Sequence, residues 1–577
     1  MDNFSSIGRK EHPQNMQSIN RKRLFNSDNF DTNKTVSKSP AQLTSAYSAA
    51  STMSWSSAMV KVKGYTDVVT RYWVFVRCFS TLAATQPTGS LYLVLMHVDR
   101  KLGRAGNSRS RARRILIVPL SKYFEMAELK PIIVMTSAPI MAHFKSLLPI
   151  STHLVKQGYE VHITTGGSLR EASEWTGATF HPYPEEISDP TTMLFEVEGV
   201  ENGTPQRVNQ DLIQFFISPI PKQYQILQNV CLSITTRESY KGEPIVIMTE
   251  TGSWSMMPYF LGAPWRGIPP SSVVTIGSIP ISCTDPNLAP FNAGLPPAKT
   301  DEERAQYAAM NKSIVESPEF FKGAQEFYDL TLKSLGTTKK TTLLLNHVRH
   351  ADRYLQCSLE EQEYPRLDPP KGLRYIGWPE LKGRKVPPFP PFWDEILEVS
   401  KNKTKKLVFA CQGTVPWNDM NDLIVPTIKG LAGREDIILI ASLGADHQKL
   451  PEDLEIPANT RVCNYIPFED LLPHLDVFVN SGGFGSTQQA LYYGVPLILV
   501  GTGEDKPENN ARVEWTGAAI NLKCKTAEPE AVREAVEKML NDDSYIKKAK
   551  YFSEQYAKVN PLELVEKNIY EALREKN

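Results

Sequence analysis

Paired cysteines are missing from this chain. Its 7 cysteines among 577 residues stand at 78, 231, 283, 357, 411, 463 and 524, with no C-x-x-C spacing, so neither a disulfide framework nor a zinc site is indicated and a reducing, cytoplasmic setting fits. There is no apolar run of about 18 uncharged residues, which excludes a membrane-spanning helix; Tyr72 to Ala84 is apolar but short and carries Arg77. Net charge is also absent, since 64 Lys and Arg balance 64 Asp and Glu, so no polyanion such as nucleic acid is implied as partner. What remains is an ordinary globular composition in a chain too long for one core.

The charge balance is uneven along the chain. Residues 1–125 hold 19 Lys and Arg against 7 Asp and Glu, which leaves the rest at −12. This segment is rich in Ser, Asn and Thr, shows no sustained period and includes the basic run Arg104 to Arg114. It is expected to be a largely disordered basic extension outside the chemistry. Its composition also suits a targeting arm, although it has no clean amphipathic helix or cleavage pattern.

From Pro131 onward short apolar segments alternate with amphipathic ones, the pattern of parallel βαβ units. Strands are predicted at 132–136, 160–165, 244–248, 273–276 and 342–345, and a helix at 147–156. Around 379–404 the chain turns proline-rich, as expected of a connector. A second series then predicts strands at 407–410, 437–441, 477–479 and 497–500, with helices at 422–431, 468–472, 486–493 and 528–540. The expected domains are 126–378, a linker at 379–404, 405–555, and a final stretch 556–577 whose helix returns to the first domain. Two doubly wound Rossmann-like domains would face a cleft, with ligands at the carboxyl ends of the strands.

Asn480-Ser-Gly-Gly-Phe-Gly-Ser-Thr-Gln-Gln-Ala490 is a glycine-rich turn opening a helix, a place where exposed amides and the positive dipole end hold anions. Such a loop can also simply tighten a turn. Beyond Gly494-Val-Pro496 lies Gly503-Glu-Asp-Lys-Pro-Glu508, where Glu504 and Asp505 could accept hydrogen bonds from sugar hydroxyls or cap the next helix. After the first strand comes Ser137-Ala-Pro-Ile-Met-Ala-His143, which sets His143 at the cleft, either as a general base or as a hydrogen-bonding residue at a helix start. His153 and His162 fall inside a helix and a strand and read as structural. Glu250, after the strand at 244–248, is the carboxylate that could orient the imidazole. Phe195, Phe215, Phe216, Trp254 and Tyr259 could line a lipophilic pocket, at least half of them being core.

Arg461-Val-Cys-Asn-Tyr-Ile-Pro-Phe-Glu-Asp-Leu-Leu-Pro473, followed by the glycine turn, Gly494-Val-Pro496 and Glu504-Asp505-Lys506-Pro507, resembles the donor signature of the UDP-glycosyltransferase superfamily, most closely its macrolide glycosyltransferase branch. The resemblance implies a GT-B fold, inversion without metal or cofactor, a nucleotide diphosphate sugar donor such as UDP-glucose, and a small lipophilic acceptor. By position it implies that Tyr465 stacks on the base, that Ser481, Gly482, Gly483, Gly485 and Ser486 hold the diphosphate, and that Gly413 and Thr414 close on it. It further puts Gln489 at the ribose and Asp505 at the sugar. Ser481 departs from the histidine many members carry there, and Glu250 from their aspartate. Those departures keep open the reading of a non-catalytic helper subunit, and because fold does not fix function a sugar-nucleotide epimerase on the same fold stays open as well.

Overall fold

The computed structural model describes residues 129–576 apart from 190–204, 317–320, 344–346, 382, 384–388, 414–418 and 445–447, together with four strands between residues 59 and 119. Residues 1–127 form a unit of their own. Its described strands, Met59–Val60, Thr70–Phe79, Ser90–Arg100 and Ser110–Pro119, pair antiparallel in chain order, although the sequence there shows no sustained period.

Residues 128–577 make the second unit, which holds two parallel sheets. The first sheet has seven strands in the order Leu373–Tyr375, Arg353–Gln356, Ser272–Gly277, Ile245–Glu250, Ile132–Thr136, Val161–Thr165, Thr179–Pro182. Its central strands are largely apolar, as burial on both faces demands: Ile133 and Met135 enter one cluster, Ile132 and Val134 the opposite one. The chain leaves Ile132–Thr136 toward Val161–Thr165 on one side and later returns to its other side with Ile245–Glu250. A switch point therefore opens beyond Thr136 and Glu250.

The second sheet repeats this plan with six strands: Thr460–Cys463, Ile437–Ser442, Lys406–Cys411, Val477–Asn480, Leu497–Leu499 and Ala519–Asn521. Its switch point lies beyond Cys411 and Asn480.

Predicted and observed elements coincide at the strand Ile132–Thr136 and the helix Leu147–Lys156; the strands Thr179–Pro182, Arg353–Gln356, Leu373–Tyr375, Thr460–Cys463 and Ala519–Asn521 lie outside the prediction, and 342–345 and 379–404 differ from it. The strand predicted at 342–345 is absent from its described residues; Leu343 is buried beside Tyr328 and Leu332, filling an apolar cluster away from the sheet. The linker expected at 379–404 contains the helix Trp393–Asn402, whose Ile396 and Val399 join the core of the second half. The C-terminal helix, Pro561–Lys576, braces the first half: Tyr159 donates to Glu566 at 2.6 Å, and buried Arg353 grips Glu575 at 2.6 and 3.0 Å.

Candidate active site

At the first switch point the chain runs from Thr136 through Ala138 into the helical turn Met141–Phe144. Phe144 is fully buried and anchors the turn, while His143 stays at the surface of the cleft with its side chain 20% exposed. Its Nδ1 lies 2.9 Å from Oε2 of Glu250, which has no exposure at all. A buried carboxylate must be satisfied to remain charged. Here it accepts the backbone N–H of Ala138 at 3.1 Å and of Gly252 at 2.9 Å, and the Ser278 hydroxyl at 3.1 Å.

Burial opposes ionisation of Glu250, but the His143 charge and these donors hold its carboxyl below the usual range. Burial likewise opposes a charged His143, and the Glu250 charge and hydrogen bond, helped by Asp505 and Glu504, outweigh it and raise the imidazole above its ordinary value. An ionised carboxylate only accepts, so Nδ1 carries the hydrogen and Nε2 of the neutral ring is left as the basic atom. Gly252 completes the pair. A Cβ there would come within 2.7 Å of His143 Nδ1 and 2.8 Å of Glu250 Oε1, so no other residue fits without moving them.

Beside His143 stands Phe216, edge-on at 6.4 Å and stacked on Trp254 at 5.1 Å. Phe216 comes from the π-helical segment Leu212–Ile217, and Trp254 is buried against Tyr328. Tyr259 instead packs on Trp265 in the core behind the sheet, Phe215 is half-buried, and Phe195 lies outside the described residues. His153 and His162 are engaged elsewhere: His153 pairs with Glu566 at 3.5 Å, and His162 bridges Glu160 and His181 at 2.7 and 2.9 Å.

At the second switch point the hub is Asn480, buried to 1% exposure. Its Nδ2 donates to Cys411 O at 3.0 Å, and its Oδ1 accepts from Gly482 N and Ser486 Oγ, both at 2.8 Å. This one side chain joins the two central strands to the start of the helix Phe484–Tyr493. Gly482 sits at φ +91°, and a Cβ there would fall 1.8 Å from Asn510 Oδ1, which explains the glycine. Gly483 precedes the first helical residue, a Cβ at Gly485 would stand 3.5 Å from the Trp378 ring, and the Ser481 hydroxyl donates to Gln412 O at 3.0 Å. Across the sheet Gly413 takes φ +89°; Thr414 lies outside the described residues.

Tyr465, just past the Thr460–Cys463 strand, is 41% exposed. Gln489 is 6% exposed and donates to Gly485 O at 3.1 Å; with Lys145, Trp378, Glu380 and Tyr493 it lines a depression between the two halves.

Asp505 stands at the N-cap of the helix Lys506–Trp515, yet its side chain makes no capping hydrogen bond. Burial, then the neighbouring Glu504, pushes its pKa up to about 6, against the pull of Lys506 and His143. Carboxylate and imidazole thus feel one another across the cleft, from opposite halves. Glu504 itself pairs with Lys506 at 2.9 Å. Among the described residues no group of three His, Cys, Asp or Glu could hold a metal, and no helix is long and apolar enough to cross a membrane.

Comparison with known proteins bears on the family and the fold. Residues 430–571 match the family model of the erythromycin biosynthesis protein CIII-like C-terminal domain. The chain is 35% identical over 453 residues to UDP-glycosyltransferase 2 of Phaeomoniella chlamydospora, covering 77% of this chain and 96% of that protein. It is 31% identical over 455 residues to UDP-glucosyltransferase B1 of Starmerella bombicola, covering 77% and 99%. Among solved structures the kitacinnamycin glycotransferase is similar in fold, with a TM-score of 0.54 at 18% identity over 76% of this chain and 99% of that one. Two facing parallel sheets and a relative matched along nearly its whole length lead to one conclusion: the chain belongs to the UDP-glycosyltransferase family and has the GT-B fold.

Proposed function

We propose that this glycosyltransferase inverts the anomeric centre as it moves a hexosyl group, glucose from UDP-glucose, to a hydroxyl of a small lipophilic acceptor such as a phenol, sterol or other secondary metabolite. The observation that carries this reading is the His143–Glu250 pair, 2.9 Å apart at one switch point and electrostatically coupled to Asp505 on the other half. His143 Nε2 takes the acceptor hydroxyl proton as the oxygen bonds to the anomeric carbon. The bond from that carbon to the diphosphate breaks, and its electron pair leaves with UDP. Glu250 stabilises the imidazolium that forms.

The amides at the start of the Phe484–Tyr493 helix meet the charge developing on the leaving diphosphate, with Ser486, Gly482, Gly483 and Gly485 shaping that end. Tyr465 stacks on the uracil, Asp505 accepts sugar hydroxyls, and Gln489 reaches the ribose. Phe216, stacked on Trp254 beside the base, offers an apolar wall to the acceptor.

Incubation of the full chain with radiolabelled UDP-glucose and a panel of phenols, sterols and polyketide alcohols tests the proposal. A β-glucoside should form from the α-configured donor, as read by NMR. Retention of configuration, or release of an epimerised nucleotide sugar without acceptor, would overturn it.

A further inference from the structure

The turn bearing Glu504 and Asp505 belongs to the second half, but the first half holds it. After the Ser272–Gly277 strand the chain reaches Asp285, 5% exposed, whose carboxylate accepts from Asn287 N at 2.9 Å, Leu367 N at 3.3 Å and Asp368 N at 2.9 Å. From this fixed base a tight turn closes between Pro290 and Ala293 at 3.0 Å and sets Asn292 at φ 72°. Asn292 N donates to Glu508 Oε2 at 3.0 Å, and its side-chain amide donates to the carbonyl of Glu504. Gly294 lies so near Pro507 that a Cβ would stand 3.1 Å from its carbonyl oxygen.

A second tie reaches the same helix. The other oxygen of Glu508 takes an N–H of Arg512, and Arg512 Nε donates to Glu363 of the first half at 2.9 Å, all three side chains being buried. Glu504 sits at φ 55°, a left-handed conformation that a non-glycine residue keeps only when its surroundings impose it. The carbonyl that Asn292 holds is the peptide immediately before Asp505.

We propose that Asn292 is a positioning residue for the donor sugar: through the Glu504 carbonyl and Glu508 it sets the height of the Asp505 carboxylate relative to His143. This rests on the reading of Asp505 as the sugar-binding acid. Asparagine suits the place because it tolerates positive φ and still carries an amide donor. The loop's ties run to Glu504, Pro507 and Glu508, whereas the Gly482 carbonyl is held separately by Asn509 Nδ2 at 2.8 Å, so the nucleotide and the sugar should respond differently to the loss of the Asn292 amide.

Asn292→Gly keeps the positive φ and the backbone N–H and removes only the amide. In the full chain this variant should bind UDP within about twofold of the parent. Its kcat/KM with UDP-glucose should fall about tenfold, the size of one lost hydrogen bond. Amide exchange of the 504–508 segment in the free protein should quicken, while the segment around Gly482 stays unchanged. Equal losses for UDP and UDP-glucose, or unchanged exchange at 504–508, would overturn the proposal. If Asp505→Ala proves silent in transfer, the sugar-acid reading fails on its own account, and the exchange result still decides whether Asn292 holds the turn.

Discussion

The two sheets share one topology and open on two switch points, yet the chemistry at the two differs. Beyond Thr136 the fold places an ionisable pair, His143 and Glu250, with both oxygens of the carboxylate engaged by protein donors. Beyond Asn480 it places a neutral amide hub and glycines at the mouth of a helix. A proton must be taken up at the first, which needs a titratable group. An anion must be held at the second, where the backbone already supplies positive charge and side chains would only stand in the way.

The sharpest break in that comparison is His143→Ala. Transfer should drop about a thousandfold in kcat while calorimetry finds UDP binding intact, because proton uptake and diphosphate binding sit in different halves. Equal damage to both would erase the division. Glu250→Gln should lower kcat roughly 10- to 100-fold. It should also move the acid limb of the kcat/KM profile to lower pH. The sign follows from Glu250 favouring the charged imidazole: His143 works as a base only when neutral, and without the carboxylate's charge it loses its proton more readily.

On the other side, Tyr465→Ala should raise KM for the donor about tenfold with kcat little changed, and Tyr465→Phe should restore it, since the ring face does the stacking. Ser481→Ala removes one hydrogen bond to Gln412 O and should weaken UDP binding about threefold. The smallest effect expected is from EDTA, which should leave the initial rate unaltered; a rate restored by added divalent cation would give the second switch point a different chemistry.

Local periodicity revealed the strands and helices at both switch points, and with them His143 and the glycine turn. What it missed depends on partners far along the chain. The strand Arg353–Gln356 opens on an arginine that is tolerable in a sheet because Glu575, 222 residues on, neutralises it. Gly252 reads as one turn glycine among 33 until His143 and Glu250 close around it. Asn292 sits in a segment without pattern, and its contact to Glu508 spans 216 residues. Leu343 misled because an apolar residue in such a run reads alike whether it joins a sheet or plugs a cluster beneath a helix.

The Pro561–Lys576 helix has a consequence for how the molecule is made. During synthesis the first sheet emerges long before the segment that neutralises Arg353 and covers Tyr159. Until that helix docks, the Arg353 guanidinium lacks the Glu575 counter-charge, so the first sheet is completed only by a segment 222 residues farther along the chain.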